Sequence, residues 1–540
     1  MVRITTLTFC IVLSVLSFGQ GITSSNLPIM VINTNGLDIQ DLTRITADMG
    51  IIYNGEGQTN MISDSFNEYD GKISIEIRGS TSQFFPKKGY GLETQLDNGE
   101  NNNVSLLGMP EENDWILHGP FSDKSLIRNA LSFEIARLTG QYASRTRLCE
   151  LVINGDYRGV YLLVEKIKRD KNRVDVSRLN PDEISGDDLT GGYIIKKDKL
   201  NGTGGDGWTS PYPPRDGAWQ TTYFQYEYPK ADEIVVEQKN YIENYITTFE
   251  NVMLSDDFAD NDLGYPAYID VNSFVDYFLT NEICKNLDAY RLSTFMHKDK
   301  DSEGGKLKMG PVWDFNISLG NADYCSGNQT AGWVLAHRDA CPNDQWITHF
   351  WWYKLMEDIE FQKKLKTRWN ELRATVWSNE NLLGKIDSLV ALLDGGAQQR
   401  NFQKWDILST YIWPNNIVAN NYEGEIDYLK NFLTGRIAWM DLVIQQIDQP
   451  NIGDNIEVTV FPNPFQHEVF FQYTTTSNKL LKFAIYDSQG FLLDFLQPQG
   501  RDGVTIVPWE RAAVVPKGVY HYAVWLNNKV IQTGSIVKQP

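Results

Sequence analysis

The hydrophobic pattern changes its period part-way along the chain, and this change limits the possible folds more than any other feature. In the first half, apolar and polar residues alternate as they do in half-buried strands, and we predict strands over residues 72–78, 90–96, 149–153, 159–166 and 191–197. In the second half, apolar residues recur at helical spacing, and we predict helices over residues 231–254, 271–284, 346–372, 382–400 and 422–447. This order predicts an α+β domain of two lobes with a cleft between them.

Two segments lie outside this α+β domain. Residues 1–19 combine Arg3, an apolar run and small residues before a plausible cleavage point, which is the pattern of a signal peptide. Residues 458–540 begin VFPNPF, continue with short alternating strands and contain a YDSQG turn, so we predict a small all-β sandwich. The predicted main domain spans residues 27–447, and residues 448–457 form a linker.

Composition and charge exclude some partners. The 540 residues, of which 42% are hydrophobic, are enough to bury large cores. The net charge of −20 argues against a nucleic-acid partner, because phosphate backbones require a basic face. After the signal peptide, no stretch approaches the roughly 20 apolar residues that a membrane span needs. We therefore predict a protein that is exported, found outside the cell or at its surface, and without a membrane span.

Export also bears on the cysteines, since it makes disulfides possible. Cys325 and Cys341 flank a loop that a disulfide would close, and two ordinary thiols are the alternative. Cys149 and Cys284 occupy apolar segments and are predicted to be buried.

Residues 284–320 contain Asp288 and Asp314, a pair of aspartates about one hairpin apart. Asp288 follows the predicted helix 271–284, and Asp314 ends a predicted short strand over residues 306–313. One carboxylate suits the orientation of a hydroxyl nucleophile, and the other suits holding Mg²⁺ against a nucleotide. The pair therefore predicts a phosphoryl-transfer site.

A basic loop precedes this pair in the sequence. The loop GSTSQFFPKKG, residues 79–89, joins two predicted strands. Its small residues allow the backbone to approach a phosphate, and Lys87 or Lys88 supplies positive charge; a solvent-exposed turn is the alternative. A helix predicted over residues 122–139 carries Glu134, which is either an acid of the site or a solvated helix residue.

Four motifs resemble the CotH-type atypical protein kinase family, named after a spore-coat protein. They are RGSTSQFFPKKGYGLET, DWILHGPFSDKSLIRN, the NxD formed by Asn286 and Asp288, and GPVWDFNISLG. The resemblance covers residues 27–447. It implies a kinase-like fold that transfers phosphate from ATP to Ser or Thr of a secreted or coat protein. Conventional kinase membership is not indicated, because the chain has no ordinary GxGxxG loop or HRD motif.

The resemblance implies roles at the aspartate pair. Asp288 falls where the family's catalytic loop has its acid, and Asp314 falls where the family holds a metal-binding aspartate. The family often has a second acid after WDF, whereas this chain has Asn316. The amide oxygen of Asn316 can still bind Mg²⁺, but it adds no charge.

The resemblance also implies partners for the nucleotide. Arg78 and Lys88 would approach the phosphates of ATP. Glu134 would pair with Lys88, as in ordinary kinases, and Glu165 is a competing partner for the same lysine.

The C-terminal segment resembles the sorting domain of type IX secretion. PNP, GxY and the late Lys538 occur in order. This resemblance implies recognition by the secretion machinery and passage across the outer membrane. A generic β-sandwich that binds sugar or protein is the alternative.

Export leaves two other functions open, because extracellular ATP is scarce. One is an adhesion or structural protein on a kinase-like scaffold. The other is a glycoside hydrolase, since paired carboxylates with many Trp and Tyr residues suit sugars, although such enzymes do not require the WDFN context.

Overall fold

The computed structural model describes residues 21–199, 207–447, 456, 458–475, 481–498, 503–526 and 529–539. The chain divides into two compact units, Met1–Ile444 and Gln445–Pro540. The predicted signal peptide at 1–19 and nearly all of the predicted linker at 448–457 lie outside the described residues. In the described part of the chain, no helix combines the length and the apolar character that crossing a membrane requires.

The first unit mixes strands and helices. Its strands are β1 Ser24–Ser25, β2 Ile29–Asn33, β3 Ile45–Ile52, β4 Asn60–Met61, β5 Tyr69–Arg78, β6 Gly89–Gln95, β7 Val104–Leu106, β8 Met109–Glu112, β9 Asp114–His118, β10 Thr146–Ile153, β11 Asp156–Glu165, β12 Tyr193–Lys197, β13 Gly207–Thr209, β14 Tyr223–Tyr228, β15 Thr294–Lys298 and β16 Leu307–Met309. Its helices are α1 Arg128–Arg137, α2 Gly186–Leu189, α3 Val236–Met253, α4 Val271–Ile283, α5 His337–Ala340, α6 Phe350–Glu357, α7 Ile359–Ala374, α8 Asn379–Leu393, α9 Ala397–Lys404 and α10 Tyr422–Gln445.

Seven strands of the first unit close into a barrel in the order β10-β11-β9-β6-β5-β3-β2. Neighbours pair antiparallel except at the seam, where β2 runs parallel to β10. The alternation that predicts a strand over residues 72–78 turns Ile73 and Ile75 into the barrel core, beside Leu92 and Trp115. Four of these strands, β5, β6, β10 and β11, were predicted, whereas β2, β3 and β9 were not. The closure was not predicted either, because local periodicity carries no information on which strands pair.

A second sheet, in the order β13-β14-β12-β15-β16, lies in the same unit. Its central strand β12 leads directly to Asp198, and β16 leads through Gly310 and Pro311 to Asp314. The predicted strand over residues 306–313 is therefore shorter than expected. The barrel and this sheet belong to one compact unit, and the division into two lobes stays a prediction.

Several helices begin or end where local chemistry requires it. The helix predicted over residues 122–139 begins only at Arg128, since Leu126 has a left-handed φ of 65° and the Asp123 carboxylate accepts a hydrogen bond from the Arg128 N–H at 2.8 Å. The helix predicted over residues 346–372 is divided into α6 and α7 by Asp358, which caps α7. The helix predicted over residues 382–400 is divided at Gly396, whose φ is 93°. The predictions for α3, α4 and α10 are confirmed to within a few residues.

After the end of α10, the second unit consists of strands and one short 3₁₀ helix, Glu510–Ala513, in its described residues. Its strands are β17 Val458–Phe461, β18 Phe470–Thr475, β19 Leu481–Tyr486, β20 Leu492–Leu496, β21 Gly503–Pro508, β22 Gly518–Leu526 and β23 Lys529–Lys538. They form two antiparallel sheets, β17-β18-β21 and β20-β19-β22-β23. Side chains of both sheets share one core, in which the rings of Phe471 and Phe483 are 4.9 Å apart. This arrangement is a β-sandwich.

Candidate functional site

Asp288 and Asp314 line the same cavity of the first unit. Asp288 lies in the turn after α4, where its N–H donates to the Asn286 side chain at 3.2 Å. One hydrogen bond joins the segment that carries Asp288 to the segment that carries Asp314: the Leu319 N–H donates to the Cys284 carbonyl at 2.7 Å. The cavity next to the barrel has a volume of 370 Å³ and contains both carboxylates. A second cavity of 340 Å³, which shares Gly79, Ser80 and Lys199 with the first, contains them as well.

Asp314 has a strained backbone. Its φ is 61°, in the left-handed region that costs free energy for any residue other than glycine. The next residue, Phe315, fixes this conformation. Phe315 is buried, and its N–H donates to the side chain of Asn129 in α1 at 2.7 Å. Strain of this kind concentrates at functional sites, where the surrounding structure fixes one side-chain direction.

Asp198 is a further carboxylate of the barrel-side cavity, and the sequence patterns did not predict it. It follows β12 directly and accepts a hydrogen bond from the Lys199 N–H at 2.8 Å. Its charge raises the pKa of both Asp288 and Asp314. The signal was an aspartate at the end of a predicted buried strand, a position from which a side chain can reach a cleft.

The pKa values of Asp288 and Asp314 are both raised. Burial, followed by the charges of Asp288 and Asp198, raises the pKa of Asp314 to about 7. Burial also raises the pKa of Asp288, and the nearby Arg291 and Lys199 oppose that shift. A cation bound among these groups would remove much of the repulsion. The donor set of carboxylate and amide oxygens suits Mg²⁺.

Arg78 lies in the same cavity, at the end of β5. Its guanidinium carbon is 5.8 Å from the centre of the Trp313 ring, and Asp314 attracts its charge. Gly79 and Ser80, the first residues of the basic loop, line both cavities, and Gly79 has a φ of 113° that glycine adopts readily. Four further basic residues line the barrel-side cavity, namely Arg44, Lys166, Lys196 and Lys199.

Lys88 and Glu134 are not brought together. The Lys88 ammonium donates to the Gln83 carbonyl within its own loop. Glu134 faces α8, where it pairs with Lys385 at 2.9 Å, and it also pairs with Arg137. The expected Lys88–Glu134 pair is therefore not formed, and neither residue lines the cavities around Asp288.

Two further expectations are not met either, namely Glu165 as the partner of Lys88 and Lys87 as the lysine that binds phosphate. Glu165 pairs with Arg145 at 2.8 Å instead of with Lys88. Lys87 is buried and donates to the Asn401 side chain at 2.7 Å. Burial holds the pKa of Lys87 well below its usual range, so Lys87 is a packing element of the barrel wall.

Asn316 lines the second cavity, together with Asp288 and Asp314. Four aromatic residues surround this cavity, namely Phe85, Tyr324, Trp346 and Trp413. The rings of Tyr324 and Trp413 stack at 5.9 Å, and Trp413 is 49% exposed. The second cavity is therefore an aromatic opening beside the carboxylates.

The segment after Tyr324 is closed by a disulfide between Cys325 and Cys341, whose Cα atoms are 5.6 Å apart. This confirms the disulfide over the alternative of two thiols. Cys149 and Cys284 are free and buried, as predicted. The side chain of His337 lies within 4.8 Å of both bonded sulfurs, but sulfurs joined to each other are not metal ligands in this state.

Comparison with known proteins places this chain among kinase-like proteins. It belongs to the family described as CotH kinase protein, whose family model matches residues 75–440 and therefore includes Arg78, Asp198, Asp288 and Asp314. No curated protein matches the chain. Among solved structures, the chain is similar to the alkylpurine DNA glycosylase AlkC of Pseudomonas fluorescens bound to DNA containing an abasic site analog, with 11% identity, 38% of this chain and 64% of that chain covered, and a TM-score of 0.15. A TM-score this low carries no argument about fold or function.

Proposed function

We propose that the first unit transfers the γ-phosphate of ATP to a Ser or Thr hydroxyl of a protein substrate. One observation carries the proposal: Asp288 and Asp314 line both a cavity that contains five basic residues and a cavity with an aromatic opening, so a nucleotide and an acceptor hydroxyl can both reach them. Membership of the kinase family supports the same reaction.

Asp288 is the catalytic base in this proposal. Its side chain is partly exposed to the cavity, and Arg291 binds one of its oxygens at 2.8 Å, which favours the ionised form. An ionised carboxylate at this position can accept the proton of the acceptor hydroxyl as the oxygen attacks phosphorus.

Asp314, Asp198 and Asn316 are the residues that would hold Mg²⁺. When bound, the metal supplies electrostatic stabilisation of the phosphate charge. Asp198 supplies a negative charge that Asn316 does not. The presence of Asn316 in place of an acid therefore does not by itself argue for an inactive protein.

Arg78 and Lys199 are the residues best placed to bind the phosphates of ATP. Both line the cavity with Asp314, and the small residues Gly79 and Ser80 let the backbone approach. Lys88, which donates within its own loop, has no part in this proposal.

The first test separates binding from chemistry. Millimolar ATP with Mg²⁺ should raise the melting temperature, and Asp314→Ala should abolish the shift because the metal loses a ligand. Asp288→Ala should keep the shift but reduce transfer of labelled γ-phosphate by about 10²- to 10⁴-fold. Asp262→Ala, at an exposed position outside the cavities, is the matched control. Absence of any shift in the wild type, or full labelling by Asp288→Ala, would reject the proposal.

We also propose that the second unit is a type IX sorting domain and that the protein is delivered outside the cell or to its surface. The β-sandwich and the ordered PNP, GxY and Lys538 motifs support this proposal. Lys538 is anchored, since its ammonium donates to the Ala512 and Ala513 carbonyls at 2.7 and 2.8 Å. Deletion of residues 458–540 should retain the protein inside the producing cell, which fractionation and immunoblotting would show.

A further inference from the structure

Arg291 joins the proposed catalytic base to a second acid. Its guanidinium donates to the Asp288 carboxylate at 2.8 Å and to the Asp344 carboxylate at 3.3 Å. Two backbone carbonyls fix the rest of the group, those of Leu287 at 2.7 Å and Trp346 at 3.3 Å. The Arg291 side chain is only 3% exposed, and these contacts fix its orientation. Arg291 therefore binds the Asp288 carboxylate from one fixed direction.

Asp344 is fixed by the disulfide-closed segment. It lies three residues after Cys341, and its N–H donates to the Cys341 carbonyl at 3.1 Å. Its carboxylate also accepts the Trp346 N–H at 3.0 Å. His337 lies 3.6 Å from this carboxylate, but burial lowers the pKa of His337 to about 3, so Arg291 is the cation that Asp344 faces.

The disulfide-closed segment, residues 325–341, is itself anchored to α4. The Val334 and Leu335 N–H groups donate to the Glu282 carboxylate at 2.7 and 2.9 Å. The Cys325–Cys341 bond thus joins an anchored segment to the short stretch that carries Asp344. Gln220 holds the same stretch as well, since its side-chain amide donates to the Pro342 and Asp344 carbonyls at 3.2 and 2.9 Å, so the disulfide is one of several tethers of Asp344.

We propose that Arg291 and Asp344 are positioning residues for Asp288, and that the Cys325–Cys341 disulfide makes phosphoryl transfer dependent on the thiol redox state. This inference rests on the proposed function. A dithiol reductant would supply two electrons and two protons to the disulfide, leaving two cysteine thiols and a cyclic disulfide of the reductant. Reduction would remove one tether of this stretch, which would weaken its hold on Arg291 and leave Asp288 less well aligned with the acceptor hydroxyl.

The test compares two chemically identical substitutions in the full chain. Asp344→Asn should lower kcat by about 10- to 100-fold while KM for ATP stays within about twofold, since a misaligned base affects chemistry more than nucleotide binding. Asp339→Asn, in the same closed segment with an exposed carboxylate, should leave both constants unchanged. Arg291→Lys should retain more kcat than Arg291→Gln, which a purely structural role for the side chain's volume would not produce.

The redox arm uses the wild type and the double variant Cys325→Ser/Cys341→Ser. Reduction by a dithiol should lower wild-type kcat to that of the double variant, reoxidation should restore it, and the double variant should not respond. Reduction of Asp344→Asn should cause little further loss, because both changes act on one contact. Full kcat in the reduced wild type, or equal effects of Asp344→Asn and Asp339→Asn, would overturn this inference alone. A wild type that neither binds ATP nor transfers phosphate would instead overturn the proposed function.

Discussion

At the scale of single residues, Asp314 combines two unfavourable features. Its backbone is left-handed, and its carboxyl is partly buried beside Asp198 and Asp288. Both features cost folding free energy, and both are fixed by neighbours, notably Phe315 and its hydrogen bond to Asn129. A protein under selection for stability alone would not keep this arrangement, which is expected where a charged ligand compensates the repulsion.

The raised pKa of Asp314 gives a prediction about stability. The unfolded carboxyl ionises near its ordinary value of 3.8, whereas the folded one ionises at about 7, so the folded state binds more protons between these values. The free energy of unfolding should therefore fall as pH rises through this window. Asp314→Asn removes the effect and should be more stable than the wild type by about 1–2 kcal/mol at pH 8, a figure reduced for partial solvent exposure.

Urea unfolding at pH 4 and at pH 8, without metal or nucleotide, measures this difference. The advantage of Asp314→Asn should be small at pH 4, where the folded carboxyl holds its proton and the unfolded one, with its ordinary value of 3.8, is about half ionised. The exposed Asp262→Asn should show no such trend. An equal advantage at both pH values would contradict the raised pKa.

At the scale of elements, α4 and α10 position the turn that carries Asp288. Glu282 of α4 and Arg436 of α10 form an ion pair at 2.9 Å in which both side chains are fully buried. Arg436 also donates to the Thr330 and Gly332 carbonyls, so the pair joins two helices to the disulfide-closed segment. A buried pair of this kind fixes geometry, because removal of one partner leaves the other charge unpaired.

Glu282→Gln should therefore destabilise the first unit by about 3–5 kcal/mol, which chemical unfolding would measure. The control is Asp387→Asn, which breaks the pair between Lys430 of α10 and Asp387 of α8, where the aspartate is 61% exposed. That loss should stay below about 1 kcal/mol. Similar losses for the two variants would show that the buried pair has no special role.

Elements with a strong local signal were predictable from the sequence. The alternation of β5 and the helical spacing of α4 and α10 depend on neighbours along the chain, and the turn at Asn154 and Gly155 has the left-handed backbone that its residue types favour. The closure of the barrel depends on a pairing between distant strands, which periodicity does not encode. Local sequence patterns therefore predict single strands and helices, but not the pairing between distant strands.

The same distinction applies to the site. Asp288 and Asp314 were predicted from a local motif, and the structure brings them to the same cavity, whereas the bridge from Asp288 through Arg291 to Asp344 depends on tertiary contacts. The expected Lys88–Glu134 pair was wrong because the α1 face that carries Glu134 packs toward α8. The spacing of residues along a helix predicts which face of the helix carries a residue, but it does not predict which element packs against that face.

At the scale of the whole molecule, the two units have separate cores. The barrel core is built from residues before 164, and the sandwich core from residues after 455. A protein truncated after residue 447 should therefore keep the ATP-dependent melting shift and the labelling activity of the full chain. Thermal unfolding and γ-phosphate labelling of both proteins would check this. A large loss of either property on truncation would show that the first unit depends on the second.

The parallel seam of the barrel determines when this protein can fold. The Thr34 N–H donates to the Asn154 side chain across 120 positions of sequence, and Lys87 reaches its partner Asn401 across 314. A chain emerging from the ribosome or from a translocation channel presents β2 and its neighbour β3 long before β10 exists, so the backbone hydrogen-bonding groups on the β10-facing edge of β2 remain unpaired. Until then the nascent chain is prone to sticking to other chains, and factors that hold unfolded chains would determine its yield.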